Sequence, residues 1–339
     1  MNQPMTEIIG NEKLRRRLCG DILAGRVSHA YILSGQRGSG KHTVAMMCAA
    51  ALACENKGVD GYPLPCCKCP SCRKILEKKS PDIYTIQKDG ASVKIAQIRE
   101  LGNSVRYLPN ELDHKIYIIE DTHTMTEQAQ NALLLTLEEP PSYIIFFLLC
   151  ESEEKLLETI KSRAPILRTE PISNEKIKEY LVINSEEARK LGDSKPAELD
   201  AVVSIANGSI GRAIELIDEK TRQPFVRQRE IAERLITLAL SKNALGLTEL
   251  FISLPTKQDE LIPILTCAET LLRDLILLKK SEDAVLCFYS DREAAIELSY
   301  STSLSTLLSL YSQIGKTKDT LLRNANIKLT LSVMLANIQ

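Results

Sequence analysis

Residues 35–44 read GQRGSGKHTV, and this glycine-rich stretch constrains the fold more than any other feature of the sequence. It follows a short apolar run, AYILS (30–34), and it opens a stretch of helical composition, KHTVAMMCAAALA (41–53). A strand, a glycine loop and a helix in this order are typical of a phosphate-binding loop, whose backbone N–H groups and helix N-terminus cradle phosphates. The residues that we predict to bind the phosphates of a nucleotide are Gly35, Gly38, Gly40 and Lys41.

The position after Lys41 departs from this pattern, which places Ser or Thr there to bind a magnesium ion. This chain has His42 at that position, and its threonine, Thr43, comes one residue later. Magnesium prefers oxygen ligands, so an imidazole is a poor replacement. Thr43 cannot simply take over, because one residue rotates by about 100° around a helix. We include His42 and Thr43 in the predicted nucleotide site, and we expect ATP and Mg²⁺ to bind weakly there.

Short apolar runs alternate with amphipathic stretches over the first part of the chain. The runs are rich in β-branched and aromatic residues and are short enough for buried parallel strands. After the run at 30–34 they are DIYTI (82–86), KIYIIE (115–120) and YIIFFLL (143–149). Strands that alternate with helices predict a parallel sheet covered by helices, so we expect an α/β domain over residues 1–168.

The stretch TMTEQAQNALLLTLEE (124–139) has the composition of a helix and lies between two of these runs. Thr124, with Glu127 three residues later, is a capping-box signature, so we expect the helix to begin at Thr124. Pro140 and Pro141 should end it, because proline cannot continue a helix.

Strand-like runs cease near residue 170. Residues 169–220 contain three short helical segments, with NGS (207–209) as a break between two of them. Residues 221–339 are helical in pattern throughout, with longer amphipathic stretches. We therefore predict a small helical domain over 169–220 and an all-α domain over 221–339.

An acidic pair, Glu120 and Asp121, follows the apolar run at 115–119. In a phosphate-hydrolysing site, one such carboxylate steers the metal ion and the other polarises the attacking water. The usual order in such ATPases is Asp then Glu, and here it is reversed. We predict a degenerate acidic pair, with ordinary loop carboxylates as the alternative.

Four cysteines give the clearest local signal. Cys54, Cys66, Cys69 and Cys72 are spaced C-x11-C-x2-C-x2-C. Two overlapping C-x2-C steps bring thiolates around one tetrahedral centre, so we predict a zinc module over 54–72. Four thiolates leave no open coordination position, and the zinc should be structural. Ligation of an iron–sulfur cluster is the alternative.

Composition excludes several classes of protein. The net charge of −1 differs from the basic balance of a protein that holds DNA by bulk charge, and aromatic residues make up only 4% of the 339 residues. No stretch approaches the roughly 18 apolar residues of a membrane span, and the first residues show no secretory signal. We therefore expect a cytoplasmic protein whose cysteines stay reduced.

Together, GRVSHAYILSGQRGSGKHT, the cysteine module, NALLLTLEEPPSYIIFFLL and TIKSRAPIL resemble bacterial clamp-loader ATPases of the AAA+ superfamily, which load the sliding clamp of DNA polymerase III. The resemblance covers residues 6–220 by motifs and the rest by length and helical character. It implies a P-loop α/β domain, a small helical lid over 169–220 and a helical collar over 221–339 that joins the subunits. The partners that it implies are other clamp-loader subunits, the sliding clamp and, through the assembly, primer–template DNA.

Several motifs depart from those of the hydrolysing subunits in this family, in which the loop ends in Gly-Lys-Thr, the acids run Asp-Glu and a Ser-Arg-Cys triplet precedes the last strand. The departures here are Gly40-Lys41-His42, Glu120-Asp121, Ser162-Arg163-Ala164 and, at the strand-end sensor, Cys150-Glu151-Ser152. They resemble the delta-prime subunit, a non-motor member of the family. We expect a stator-like subunit whose own ATPase activity is weak or absent.

Arg163 then has a role that does not need an active site in this chain. The resemblance implies that it reaches the ATP site of a neighbouring subunit as an arginine finger. From the residues alone, a surface charge at the end of a helix fits equally well. The alternatives for the whole chain are a hydrolysing motor subunit of the gamma/tau type and an unrelated P-loop phosphotransferase.

Overall fold

The computed structural model describes residue 5 and residues 8–59, 64–284, 286, 288–289, 292–323 and 325–338. The chain divides into two compact units, Met1–Ile172 and Ser173–Gln339. The division of the second part into a lid (169–220) and a collar (221–339) stays a prediction.

Five parallel strands form the sheet of the first unit. They are β1 (Ala30–Ser34), β2 (Ile83–Ile86), β3 (Lys115–Ile119), β4 (Ile144–Cys150) and β5 (Ile166–Arg168). Their order across the sheet is β2-β3-β4-β1-β5, with every neighbouring pair parallel. The four predicted strands are confirmed within one or two residues. β5 is three residues long, too short to show a pattern of its own, and it follows Ser162-Arg163-Ala164, the triplet that precedes the last strand in the family that the sequence resembles.

Helices cover both faces of this sheet. They are α1 (Glu12–Leu23), α2 (Lys41–Leu52), α3 (Pro70–Leu76), α4 (Ile95–Ser104), α5 (Glu127–Glu138) and α6 (Glu158–Lys161). Leu33 of β1 faces a core that it shares with α1, α2 and α3. Ile32 of the same strand faces a second core with α4, α5 and α6. Successive strand residues point to opposite faces, so both faces of the sheet are apolar, and the α/β prediction is confirmed.

The start of α5 differs from the prediction. The helix begins at Glu127, and the Thr126 hydroxyl accepts a hydrogen bond from the backbone N–H of Ala129 at 3.3 Å. Thr124 instead ends a short 3₁₀ turn, and its hydroxyl donates to the carbonyl of Asp121 at 2.7 Å. Thr124 and Thr126 could each cap a helix here. The 3₁₀ turn after β3 includes Thr124, so Thr126 is left to cap α5.

The second unit is helical over the residues that the structure describes. Its shorter first helices are α7 (Asn174–Asn184), α8 (Glu186–Ser194), α9 (Pro196–Ile205) and α10 (Ile210–Glu215). The later ones are α11 (Glu219–Leu240), α12 (Ala244–Ser253), α13 (Gln258–Leu278), α14 (Arg292–Ser301), α15 (Leu304–Leu322) and α16 (Ile327–Ile338). One buried face of α13 packs with α11 and α15 in a common core. Within the described ranges, none of the helices has the combination of length and apolar character that a bilayer crossing needs.

A buried carboxylate fixes the segment that leads into β3. Asp82 is fully buried. It accepts hydrogen bonds from the backbone N–H groups of Asn110, Glu111 and Leu112 at 2.6, 2.8 and 2.9 Å. Burial by itself raises the pKa of Asp82, but these bonds to the charged form outweigh it, and the net pKa lies below the usual value. The charged carboxylate therefore ties residues 110–112 to the start of β2.

We expect Asp82→Asn to lower the free energy of unfolding by about 3 kcal/mol, because an amide cannot accept all of these bonds as a charged group does. Asp113→Asn, at an exposed carboxylate of the same segment, should change it little. The pKa of Asp82 is lower in the folded than in the unfolded chain. Its stabilising contribution to the free energy of unfolding is therefore complete above about pH 4, the ordinary pKa of an aspartate, and is lost as the pH falls through the lower pKa of the folded state. Urea denaturation at neutral and acid pH measures both effects, and equal stability of the two variants at neutral pH would contradict the assignment.

Candidate nucleotide site and cysteine cluster

The glycine loop joins the end of β1 to the start of α2, as its sequence predicts. Gly35 donates its N–H to the carbonyl of Cys150 at 3.1 Å, and a Cβ atom at this position would lie 1.8 Å from Thr169 Oγ1. Gly38 and Gly40 have φ angles of 73° and 85°, in the left-handed region that side chains disfavour. Glycine is thus required at the first position for space and at the other two for backbone conformation.

The Lys41 side chain folds back onto this loop. Its ammonium donates to the carbonyls of Gly35 and Gln36 at 2.6 and 2.8 Å. Burial lowers the pKa of Lys41, and the negative charge of Glu151 opposes that shift. A phosphate in the loop would have to replace these two carbonyl contacts.

His42 lies where a P-loop ATPase has its magnesium-binding hydroxyl, and it contacts one of the two acidic residues. Its Nδ1 is 2.7 Å from Oε1 of Glu120, the residue that follows β3. Thr43 is exposed on α2. The residues at this position do not fit a magnesium ion, because the oxygen ligand is missing and the carboxylate that would steer the metal is engaged by an imidazole.

The second acidic residue is also paired. Asp121 has a φ angle of 49°, and its Oδ2 lies 3.2 Å from the ammonium of Lys88. The structure therefore brings both predicted acids to the carboxyl edge of the sheet, next to the loop, with a nitrogen partner on each. Lys88 has no motif around it, so the sequence offered no signal for this contact.

A third acidic residue joins this edge from the end of β4. The backbone N–H of Glu151 donates to Nδ1 of His123 at 3.3 Å. One ligand atom each from Asp121, His123 and Glu151 lie within 4.8 Å of one another. Burial lowers the pKa of His123, and the negative charge of Glu151 partly opposes that shift. Sequence reasoning singled out Glu151 at a strand end and missed His123.

Arg163 follows α6 and makes its contacts within the first unit. Its Nη2 is 2.9 Å from Oε1 of Glu138, at the end of α5, and its Nη1 donates to the carbonyl of Thr159 at 2.9 Å. The side chain is 34% exposed, so it is available to a neighbouring molecule. Its contact with Glu138 holds the guanidinium at the surface end of α5.

Four buried cysteines converge as their spacing predicts. The sulfur atoms of Cys54, Cys66, Cys69 and Cys72 all lie within 4.8 Å of one another. The backbone N–H groups of the last three point at sulfurs of the cluster, at 3.4–3.5 Å. Buried thiolates with N–H partners fit a tetrahedral zinc ion. The set has no open position for a substrate.

The pKa values within the cluster differ with local hydrogen bonding. Burial alone would raise the pKa of Cys66, but backbone N–H groups and the amide of Asn56 bring it down to about 6. Burial raises the pKa of Cys72 well above the ordinary value. Cys67 stands apart from the four, with its sulfur directed at the carbonyl of Pro65.

Known proteins with similar sequences are subunits of DNA polymerase III. A family model described as DNA polymerase III, delta subunit matches residues 10–173. DNA polymerase III subunit gamma of Buchnera aphidicola (Schizaphis graminum) is 34% identical over 218 residues, 64% of this chain and 58% of that protein. The tau subunit of Escherichia coli is 33% identical over 220 residues, 64% of this chain and 33% of that protein. That of Bacillus subtilis is 32% identical over 220 residues, 64% of this chain and 38% of that protein.

Among solved structures, a gamma subunit-related protein of Thermotoga maritima covers 96% of this chain at 20% identity, with a TM-score of 0.44. The assignment rests on the sequence relatives, and this chain spans between a third and three fifths of their length.

The parallel sheet and the glycine loop between β1 and α2 define the first unit as a P-loop α/β domain. Residues 10–173 match the family of the DNA polymerase III delta subunit, and the chain is similar to gamma and tau subunits of DNA polymerase III. The family model carries the name delta, whereas the relatives are gamma and tau subunits, so the matches agree on the complex and differ on the subunit.

We expect one zinc per chain when the protein is purified without chelator. Cys72→Ser should lower the affinity for zinc by about 10-fold or more, because one of four thiolates is lost. Cys67→Ser is the matched control, since Cys67 lies within the same segment but outside the cluster. Elemental analysis and thermal unfolding with and without chelator measure the effect. A Cys72→Ser protein with full zinc content would contradict the ligand set.

Proposed function

We propose that this chain is a clamp-loader subunit whose own P-loop does not hydrolyse ATP. The observation that carries the proposal is the 2.7 Å contact between His42 and Glu120. It joins the residue that replaces the magnesium-binding hydroxyl to the acid that would steer the metal. Hydrolysis of a nucleotide depends on a metal ion that bridges its phosphates and on a carboxylate that orients water.

The surroundings of Asp121 support the same conclusion. In the water-activating position, a carboxylate must accept a proton or align a water molecule. Here the carboxylate of Asp121 lies 3.2 Å from the ammonium of Lys88, so a water molecule would have to compete with that cation for the carboxylate. Glu151 adds negative charge close to Lys41, which disfavours a further anion such as the γ-phosphate.

A second candidate is a hydrolysing motor subunit of the gamma/tau type. The relatives described above favour it, because they are gamma and tau subunits and are 32–34% identical to this chain over 218–220 aligned residues. Gly35, Gly38, Gly40 and Lys41 are intact and correctly placed. In that case bound water or Thr43 would supply the missing oxygen.

We propose further that Arg163 serves the ATP site of a neighbouring subunit. Its partial exposure and its position after α6 support this role. An arginine supplied from outside stabilises the charge that develops on the transferring phosphoryl group. In the isolated chain Glu138 neutralises the guanidinium, and a partner's nucleotide would have to compete with that carboxylate.

The partners that we propose are other clamp-loader subunits, the sliding clamp and, through the assembly, primer–template DNA. Large apolar side chains on the outer faces of the last helices support a subunit interface over 221–339. They include Leu308, Leu322, Leu329 and Val333, which are 48–66% exposed. Exposed apolar surface of this kind is typical of protein interfaces.

Turnover of ATP by the isolated chain in magnesium discriminates between the two candidates. We expect no turnover that depends on Lys41, so that Lys41→Ala and the unaltered chain give the same rate. His42→Thr should raise magnesium-dependent nucleotide affinity, because it restores the hydroxyl and frees Glu120. Clear turnover that Lys41→Ala abolishes would place this chain among the motor subunits.

Arg163→Ala should leave folding intact and reduce ATP turnover at the adjacent site of the reconstituted assembly by about 10³-fold or more, as for other arginine fingers. Glu138→Gln should preserve or raise that turnover, since it releases the guanidinium. Arg16→Ala, at an exposed arginine of α1, is the control. Single-turnover kinetics on assemblies of equal composition give the comparison, and equal rates for Arg163→Ala and Arg16→Ala would remove the proposed role.

A further inference from the structure

A buried glutamine of α5 contacts the segment that leads to Arg163. Gln130 is 4% exposed, and both ends of its side-chain amide are hydrogen-bonded to backbone of that segment. Its Nε2 donates to the carbonyl of Lys155 at 3.0 Å, and its Oε1 accepts the backbone N–H of Leu157 at 2.8 Å. One side chain thus holds the backbone at two points.

The backbone between these two points is a short extended link. It joins the 3₁₀ turn Glu153–Lys155 to α6, which begins at Glu158. Leu156 and Leu157 both have a ψ angle of 142°, outside the helical region. Where the backbone leaves helical geometry, its polar groups need partners from elsewhere in the fold. Gln130 supplies a donor before Leu156 and an acceptor after it.

The same helix also contacts Arg163 directly. Glu138 lies 2.9 Å from the guanidinium, eight residues after Gln130 and about 12 Å further along the helix axis. Between the two contacts lies α6, four residues long, whose Ile160 shares an apolar core with Leu133 of α5. Helix α5 therefore holds the segment 155–163 at both ends.

Apolar packing and the amide contacts constrain this segment differently. Burial of Leu156 and Ile160 holds α6 against the core, but the hydrophobic effect is non-directional. Hydrogen bonds have preferred distances and angles, so the Gln130 amide fixes where α6 begins along α5. The N–H of Arg163 donates to the carbonyl of Ile160 at 3.0 Å. A shift of Leu157 would therefore be carried through the short helix to Arg163.

We propose that Gln130 is a positioning residue for Arg163. It fixes the start of α6 and thereby the place from which the guanidinium reaches the ATP site of a neighbouring subunit. This inference rests on the proposed function of Arg163. A misplacement of about 1 Å, caused far from the chemistry, can cost about 10²-fold in rate, so the contacts of Gln130 matter to the reaction although they lie outside it.

The test is single-turnover hydrolysis of ATP at the adjacent site of the reconstituted assembly, with full-length variants of this chain. Gln130→Met removes both hydrogen bonds and keeps an unbranched side chain of similar length. Gln128→Met, at an exposed glutamine of the same helix, is the matched control. We expect Gln130→Met to lower the rate of hydrolysis by about 10-fold or more, with the affinity of that site for ATP unchanged, and Gln128→Met to change neither.

A double-mutant cycle separates positioning from a general effect on structure. If Gln130 acts through Arg163, Gln130→Met should slow hydrolysis no further in assemblies that already carry Arg163→Ala. Slowing by the same factor in both backgrounds would overturn the proposal. Amide hydrogen exchange over residues 155–163 of the isolated chain should be faster in Gln130→Met than in Gln128→Met, and equal exchange would also overturn it.

The remaining outcomes distinguish this inference from the function on which it rests. If Arg163→Ala slows hydrolysis and Gln130→Met does not, Gln130 loses its role and that of Arg163 stands. If Arg163→Ala leaves the rate unchanged, the proposed role of Arg163 fails and this inference fails with it. Should Gln130→Met not fold, Gln130→Asn takes its place, since the shorter amide cannot bridge both backbone groups.

Discussion

Strand β1 is hydrogen-bonded on both sides, to β4 and to β5, and all five of its residues are buried. The glycine loop and the acidic residues beside it depend on this central position. The loop leaves β1 at its carboxyl end, where the segments after β3 and β4 also emerge, since the strands are parallel. The site is therefore a consequence of strand order: residues distant in the sequence meet because their strands are neighbours.

At that edge, nitrogen groups of the protein lie next to the acidic residues that follow β3. A P-loop ordinarily uses a metal ion to screen phosphate charge, with carboxylates around it. Here an imidazole contacts Glu120, and an ammonium contacts Asp121. Both acidic residues beside the loop thus have a nitrogen group of the protein within 2.7–3.2 Å, while Gly38 and Gly40 of the loop keep their left-handed backbone conformation.

Much of this architecture is predictable from local patterns. The four longer strands are short runs rich in β-branched and aromatic residues, and the four clustered cysteines are identified by their spacing. The pattern fails where two residues of the same type lie close together at a helix start, as for Thr124 and Thr126 before α5. It also fails for β5, whose three residues are too few to show a strand pattern and are recognised as a strand by their pairing with β1.

Contacts between side chains of separate elements were not predictable. His123 and Glu151 are 28 residues apart, and only the pairing of β3 with β4 brings them together. The same holds for Lys88 with Asp121 and for Arg163 with Glu138. A motif specifies which residues share one turn, whereas the three-dimensional neighbours of those residues are set by the packing of the whole sheet.

The cysteine cluster shares its apolar core with α1, α2 and the sheet, and the sulfur of Cys72 lies 3.5 Å from the carbonyl of Ala50 in α2. The helix that begins at the glycine loop thus ends against the cysteine cluster. The four thiols fill part of the core of the whole unit, so a sequence that replaced them with smaller side chains would leave a cavity there, and larger apolar side chains would be needed to restore the packing.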